Sequence, residues 1–239
     1  MKYKKQIKRK AFHYCLLLIF CLFTAIIISD NDTKKAAYLE TAGKRGAPIL
    51  IIDPGHGGMD GGTSSKDGLL ESEVNLAISQ KLEQLLSFLS YDCVLTRTSN
   101  EFDYPEGLTT AQKKAWDQAN RIKLINSYEN AVLLSVHQNS FPDPRPSGTQ
   151  VFYGKKEGSK ELAELLHSNL NACFYPDNRR VAAPISESIL IMKKADCTAV
   201  LVECGFLSNT SDTEKLRSIE HQTKLSMVLA ASYIQYISA

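Results

Sequence analysis

Short apolar runs alternate with longer amphipathic segments from residue 49 to the C-terminus. Each short run predicts a strand, and each segment with apolar residues three and four positions apart predicts a helix. The predicted strands are Ile49–Ile52, Asp92–Thr96, Ala131–Val136, Gly148–Tyr153, Ser188–Met192 and Ala199–Val202. The predicted helices are Glu73–Leu89, Thr109–Ser127, Ser159–Phe174, Asp212–Ile219 and Thr223–Ile237. This alternation predicts a three-layer α/β fold, in which helices cover both faces of a mainly parallel sheet of about six strands.

The N-terminus follows a different pattern. Residues 1–28 begin with a basic block and continue as an apolar run from Ala11 to Ile28, the order of an export signal or a membrane anchor. The run is short for a membrane span of roughly 20 residues, but it lacks a small-x-small cleavage site, so we favour an uncleaved anchor. A buried core helix is disfavoured because the run is apolar on every face. Residues 29–47 are predicted to be a polar tether, and residues 48–239 a globular domain outside the cytoplasm.

The charge of the predicted domain differs from that of the whole chain. The chain has 28 Lys and Arg, 26 Asp and Glu, and a net charge of +2. Residues 1–28 contain six of the basic residues and no acidic residue, which leaves residues 29–239, the tether and the domain together, with 22 Lys and Arg against 26 Asp and Glu and a net charge of −4. The domain therefore shows no electrostatic footprint for nucleic acid, and we expect no nucleic-acid partner.

The cysteines favour neither a disulfide nor a thiolate metal site. Cys197 and Cys204 flank the last predicted strand, so the extended chain would hold them roughly 20 Å apart. A disulfide needs Cα atoms within about 7 Å. No Cys-x-x-Cys sequence occurs, which disfavours a zinc site made of thiolates.

Polar residues stand where three predicted strands end. His56, His137 and Glu203 each follow an apolar run, and Glu71 stands where the first helix begins. The carboxyl ends of strands are where open α/β sheets bind ligands. A single histidine after a strand is more often structural, but four such groups on one predicted edge indicate a site.

Two imidazoles and one carboxylate form a known catalytic zinc set with a fourth position open for water. Zinc lowers the pKa of that water to about 7, and a further carboxylate beside it can act as general base. We predict this role for Glu203, because Val200, Leu201 and Val202 make a rigid buried strand before it. The glycines around His56 would let the backbone approach metal or substrate without a Cβ in the way.

Four sequence blocks resemble the signature blocks of the zinc-dependent N-acetylmuramoyl-L-alanine amidases. These blocks are DPGHGG (Asp53–Gly58), LLESEVNLA (Leu69–Ala77), SVHQNS (Ser135–Ser140) and VECGFLSN (Val202–Asn209). The resemblance runs from about residue 48 to the C-terminus. It implies a twisted six-stranded sheet between helices and a peptidoglycan substrate. It also implies Zn²⁺ as cofactor, with His56, Glu71 and His137 as ligands and Glu203 as the catalytic carboxylate.

A lone domain behind a short N-terminal anchor is most similar to the germination-specific amidases of spore-forming bacteria. That resemblance implies action in the spore cortex, where stem peptides are trimmed from muramic acid as the first step towards muramic-δ-lactam. It places the enzyme on the extracytoplasmic face of the membrane or in the cortex or cell wall. Some members of this group act with a lipoprotein partner.

Two other functions remain open from the sequence. A zinc peptidase acting elsewhere on the stem peptide would need an arginine for a terminal carboxylate, but Arg179 and Arg180 are typical of a solvated loop. A non-catalytic wall-binding or assembly protein would be favoured if a metal ligand or Glu203 were missing.

The role of Asn139 is also open, because its position fits a substrate contact and a strand-end turn equally well.

Three other residues have competing interpretations. Cys204 could be a nucleophile with His137 as its base, but a small buried residue is favoured. Glu73 could replace Glu71 as a ligand, although the two point to different sides of a helix. His167 lies off the leucine face of its helix, which predicts an exposed side chain.

Overall fold

The structure, a computed structural model, describes residues 46–239. The predicted anchor and all but the last two residues of the predicted tether lie outside the described residues. Within the described range, no helix has both the length and the apolar character needed to cross a membrane. The four cysteines of this range are free thiols.

In the described part of the chain, six strands form one sheet, which confirms the predicted α/β fold. In chain order they are β1 (Ile49–Pro54), β2 (Cys93–Leu95), β3 (Ala131–Asn139), β4 (Gln150–Tyr153), β5 (Ala183–Pro184) and β6 (Thr198–Phe206). Their spatial order is β2-β1-β3-β6-β4-β5. Neighbouring strands are parallel except for the antiparallel pair β4 and β6.

Within residues 46–239, six helices connect and cover the strands. They are α1 (Glu71–Phe88), α2 (Thr110–Ile125), α3 (Ser159–Phe174), α4 (Leu190–Lys194), α5 (Thr210–Arg217) and α6 (Ile219–Ile237). Alternate residues of β1 separate to the two faces of the sheet, as the period of a strand requires. Leu50 and Ile52 pack in the larger core with α1, α3 and α6, whereas Ile51 packs in a smaller core with Ile125 of α2 and Met192 of α4.

The predicted strand at Ser188–Met192 is wrong. Residues Leu190–Lys194 form the short helix α4, and the edge strand of the sheet is Ala183–Pro184. A short apolar run does not distinguish a strand from a buried helical turn. Here Met192 is buried while Leu190 is 38% exposed.

The predicted exposure of His167 is also wrong, because only 6% of the residue is exposed. Its Nε2 lies 2.6 Å from the carbonyl oxygen of Arg180 and 3.1 Å from Nδ2 of Asn171. The loop before β5 therefore covers a histidine that the helical periodicity places outside the leucine stripe.

Candidate metal centre

The four predicted site residues meet in one cleft of about 660 Å³ at the carboxyl ends of β1, β3 and β6. His137 and Glu203 are direct neighbours across β3 and β6. His56 follows β1 by two residues, and Glu71 is the first residue of α1. Ligand atoms of His56, Glu71 and His137 all lie within 4.8 Å of one another, so these three side chains could hold a metal ion.

Glu71 is the centre of this arrangement. Its Oε1 lies 2.8 Å from His137 Nδ1, and its Oε2 lies 3.4 Å from His56 Nε2. The backbone N–H groups of Thr63 and Gln138 also donate to this carboxylate, at 2.9 and 3.1 Å. Burial alone would raise the pKa of Glu71, but the hydrogen bonds with the two histidines outweigh it and hold the pKa well below its usual range. The carboxylate is therefore ionised and fixed in place.

His56 is oriented by Asp60, which the sequence analysis missed. Asp60 Oδ2 lies 3.1 Å from His56 Nδ1 and 2.7 Å from Lys114 Nζ. Burial lowers the pKa of His56, but Glu71 and Asp60 outweigh burial and raise it. A carboxylate on one ring nitrogen leaves the other nitrogen free to bind a metal, an arrangement common around metal-binding histidines.

Two buried arginines, also missed, hold the segment that carries His56. Arg121 donates to the carbonyl oxygens of Pro54 and His56, at 2.7 and 2.5 Å. Arg97 donates to those of Pro54 and Gly55, at 2.8 and 3.0 Å. These bonds fix a segment in which His56 itself has a φ of 60°, a conformation that a non-glycine residue rarely adopts.

The charge of Arg121 is balanced by Asp53, which is completely buried at the end of β1. Arg121 Nη1 lies 3.0 Å from Asp53 Oδ1, and the hydroxyls of Thr96 and Ser135 donate to the same carboxylate. Burial raises the pKa of Asp53, but Arg121 and the two hydroxyls outweigh it and lower the pKa. The sequence signal for Arg121 is its place four residues before the buried Ile125, on the inward face of α2.

Glu203 is unlike the other carboxylates of the site. Its Oε2 is buried and has no hydrogen-bond partner among residues 46–239. Burial raises the pKa of Glu203 to about 7, the charge of Glu71 adds to the shift, and the two histidines oppose it. Such a carboxyl group can both accept and release a proton near neutral pH.

The structure separates the three residues that the sequence analysis left with competing roles, Cys204, Glu73 and Asn139. Cys204 is fully buried, and burial raises the pKa of its thiol to about 12, which disfavours a nucleophilic thiolate. Glu73 is exposed and does not line the cleft. Asn139 lines the cleft, and its side chain also accepts the N–H of Ser140, so both interpretations remain open.

Arg179 and Arg180 lie in a separate surface groove rather than in the cleft. Arg180 donates to the carbonyl oxygen of Ser147 at 2.6 Å and stacks over the ring of Phe206 at 5.0 Å. Arg180 is therefore a bonded part of the loop packing, not a free cation directed at the metal-binding side chains.

Comparisons with known proteins identify the family. The model of the N-acetylmuramoyl-L-alanine amidase family matches residues 50–233. The germination-specific N-acetylmuramoyl-L-alanine amidase of Bacillus subtilis (strain 168) is 30% identical over 237 residues, which are 98% of this chain and 97% of that protein.

Two solved structures extend the likeness. The CwlD amidase from Clostridioides difficile, in complex with the GerS lipoprotein, has a TM-score of 0.76 and 33% identity, covering 80% of this chain and 98% of that chain. An N-acetylmuramoyl-L-alanine amidase from Clostridium difficile 630 has a TM-score of 0.69 and 28% identity, covering 81% of this chain and 98% of that chain. The chain therefore belongs to the N-acetylmuramoyl-L-alanine amidase family.

Proposed function

We propose that this family member is an exported zinc enzyme that hydrolyses the amide bond between N-acetylmuramic acid and L-alanine in peptidoglycan. One observation carries the proposal. Three metal-binding side chains converge within 4.8 Å, and the neighbouring strand supplies the buried carboxyl group of Glu203, whose Oε2 has no partner in the described part of the chain. The family match supports the choice of bond.

The residues present fit a catalytic zinc site. His56, Glu71 and His137 would hold the ion through two imidazole nitrogens and a carboxylate oxygen, a donor set typical of catalytic zinc sites. His56 and Glu71 each have further protein partners that fix their orientation, as good metal ligands require. A zinc ion bound there supplies Lewis acidity, which polarises a carbonyl group and makes water acidic enough to react at neutral pH.

Glu203 moves the proton in this proposal. Its carboxylate accepts a proton from the attacking water while the water oxygen bonds to the carbonyl carbon of the lactyl amide. When the C–N bond breaks, Glu203 returns the proton to the nitrogen of L-alanine. The products are a free lactyl carboxyl group and a peptide with a new amino terminus. Without a metal, burial raises the pKa of Glu203 to about 7, and a cation beside it would favour the carboxylate form that accepts the proton.

The biological setting is proposed from the named relatives. A germination-specific amidase matches nearly the whole chain, which supports a role in the spore cortex and in germination. Removal of the stem peptide frees the lactyl carboxyl group, which muramic-δ-lactam formation requires. The complex of the CwlD amidase with a lipoprotein supports a lipoprotein activator for this chain. The basic block and apolar run of residues 1–28 support retention at the extracytoplasmic face of a membrane.

Digestion of purified peptidoglycan by the full-length chain tests the proposal. We expect new amino-terminal alanine and muramic acid without a stem peptide, both lost after zinc chelation and restored by added zinc. Glu203→Gln should lower the rate by about 10²- to 10⁴-fold, the usual contribution of a general base. Cys204→Ala, the matched control in the adjacent residue, should remain active.

Each other outcome points to a different conclusion. Activity that survives chelation or requires Cys204 would contradict the zinc mechanism. Release of new termini elsewhere in the stem peptide would indicate a zinc peptidase. Wall binding without any release, in the presence of zinc and of the candidate lipoprotein, would indicate a non-catalytic protein.

A further inference from the structure

A second groove lies beside the catalytic cleft and shares residues of α2 with it. It has a volume of about 520 Å³, and its lining includes Trp116 and Asn120 of α2 and Glu101, Phe102 and Asp103 of the preceding loop. Asp117 and Arg121 line both this groove and the catalytic cleft. We call it the Trp116 groove. Nothing in the proposed reaction uses it.

The indole of Trp116 packs against another aromatic ring and remains partly exposed. The residue is 37% exposed, and its ring meets that of Tyr104 edge-on with 5.6 Å between centroids. Tyr104 meets Phe102 in the same manner at 5.6 Å, and its hydroxyl accepts the N–H of Met59 at 3.2 Å. A large ring that is fixed by other rings and still exposed is a ready platform for a ligand with an apolar face.

Polar groups with no protein partner surround this platform. In the part of the chain that the structure describes, Glu101, Asp103 and Asn120 have exposed side chains without an ion pair or a side-chain hydrogen bond. The indole N–H of Trp116 likewise has no acceptor there. Carboxylates, an amide and an N–H around a flat aromatic ring match a pyranose, whose C–H face stacks on the ring and whose hydroxyl and acetamido groups form hydrogen bonds.

The charges favour a neutral ligand. Arg97 and Arg121 also line the groove, but both are buried; Arg97 donates to backbone carbonyl oxygens, and Arg121 pairs with Asp53 and Asp117. Glu101 and Asp103 are exposed and form no ion pair with a Lys or Arg of residues 46–239, so the exposed charge of the groove is negative. Stem peptides carry carboxylates, which this groove would repel. The N-acetylated sugars of a glycan chain are uncharged wherever the lactyl group is amidated or absent.

A short chain of contacts connects the Trp116 groove to the catalytic centre. Tyr104 binds the backbone of Met59, and the next residue, Asp60, contacts His56. We propose that the Trp116 groove binds neighbouring N-acetyl amino sugars of the glycan strand whose muramic acid occupies the cleft. This inference rests on the proposed peptidoglycan substrate, and it adds a second binding site for the glycan strand outside the catalytic cleft. A second contact on the same strand raises the effective concentration of the scissile bond at the metal centre.

The single tryptophan of the sequence makes the groove directly observable. Titration of the full-length chain with chitopentaose, a neutral oligomer of N-acetylglucosamine, should change the Trp116 fluorescence saturably. The double variant Asp103→Ala/Asn120→Ala retains the fluorophore and should weaken binding about tenfold. Met227→Ala, which removes an exposed apolar side chain from α6, is the control and should bind as the parent does.

Turnover provides the second measurement. Trp116→Ala should lower the ratio of kcat/KM for polymeric peptidoglycan to kcat/KM for a soluble muramoyl-peptide monomer by about tenfold, mainly through KM. Absence of a saturable fluorescence change, or an unchanged ratio, would overturn the inference. Tighter binding of a free stem tripeptide than of chitopentaose would overturn the choice of a glycan.

The fluorescence titration requires no chemistry, so failure here is distinguishable from failure of the proposed function. If the chain binds chitopentaose but has no amidase activity, only the proposed reaction is contradicted. If the chain has amidase activity but does not bind chitopentaose, only the assignment of the Trp116 groove as a glycan site is contradicted.

Discussion

Asp60 contacts His56 on one side of the imidazole while Glu71 lies on the other. Oδ2 of Asp60 is 3.1 Å from Nδ1, and Oε2 of Glu71 is 3.4 Å from Nε2. The loop therefore fixes both the direction of the ring and the nitrogen that faces the other ligands. Lys114, at 2.7 Å from Asp60, ties this loop to α2. The orientation of a metal ligand thus depends on residues that would not contact the metal.

Asp60→Asn should weaken zinc binding by about 10- to 100-fold, the usual cost of removing the hydrogen-bond partner of a ligating histidine. The side chain keeps its size but loses the charge that holds Nδ1–H and Lys114. Competition with a fluorescent zinc chelator measures the affinity. Asp67→Asn is the matched control, since Asp67 is exposed and pairs with Arg217. Equal affinities for the two variants would contradict an orienting role for Asp60.

Gly61 and Gly62 are adjacent, but only Gly62 packs closely against the side chains of Glu71 and His56. A Cβ on Gly62 would lie 2.5 Å from Glu71 Oε2 and 2.8 Å from His56 Cδ2, and its φ of 70° disfavours any other residue. A Cβ on Gly61 would meet only Leu70, at 3.5 Å. We expect Gly62→Ala to lower zinc affinity by more than about tenfold, because a 1 Å displacement of a ligand disrupts the site.

Gly61→Ala should bind zinc as the parent protein does. Metal content after dialysis, together with the melting temperature of each apoprotein, separates a local effect on the ligands from general unfolding. If Gly62→Ala retained zinc, the close approach of this loop to Glu71 and His56 would be wrong.

The sequence predicted the strands that carry the centre because their apolar runs are long and uninterrupted. β1, β3 and β6 are covered on both faces, and such strands have a clear pattern. Helix α3 was predicted from Ser159 to Phe174, the bounds that the structure has. The strand predicted at Ser188–Met192 was wrong, because a run of four apolar residues fits a helical turn as well as a strand.

The supporting residues of the centre could not be predicted in the same way. Asp53 contacts Arg121 across 68 positions of sequence, and Arg97 contacts Pro54 across 43. No local pattern records such contacts. His56, His137 and Glu203 were found because strand ends place them at one edge, whereas Arg97 and Arg121 lie beneath that edge and act through backbone carbonyl groups.

Removal of Arg121 should destabilise the whole domain. Arg121→Met leaves the buried carboxylate of Asp53 without its cation, and breaking a buried ion pair typically costs about 3 to 5 kcal/mol. Urea unfolding of the chelator-treated protein measures the change. Arg121→Lys keeps the charge but cannot reach Asp53 and two carbonyl oxygens at once, so it should lie between the parent and Arg121→Met.

The exposed pair of Arg145 and Asp143 provides the control for this experiment, and Arg145→Met should leave the unfolding midpoint nearly unchanged. A small effect of Arg121→Met, comparable with that of Arg145→Met, would show that the segment from Pro54 to His56 holds its conformation without the arginine.

Glu203 should make the stability of the metal-free protein depend on pH. Burial raises its pKa from 4.5 to about 7, so the folded state binds a proton more tightly than the unfolded state does. The resulting stabilisation is complete below pH 4.5 and is lost as the pH rises through 7. At 1.36 kcal/mol per pKa unit, the loss is about 3 kcal/mol.

Glu203→Gln keeps the shape of the side chain but cannot ionise. In the presence of chelator, the variant should match the parent near pH 4.5 and exceed it by about 2 to 3 kcal/mol at pH 8. Urea unfolding at both pH values measures the difference. Zinc should reduce the difference at pH 8, because a cation near the carboxyl group favours its charged form. A parent and variant that differ equally at both pH values would contradict a raised pKa for Glu203 in the metal-free protein.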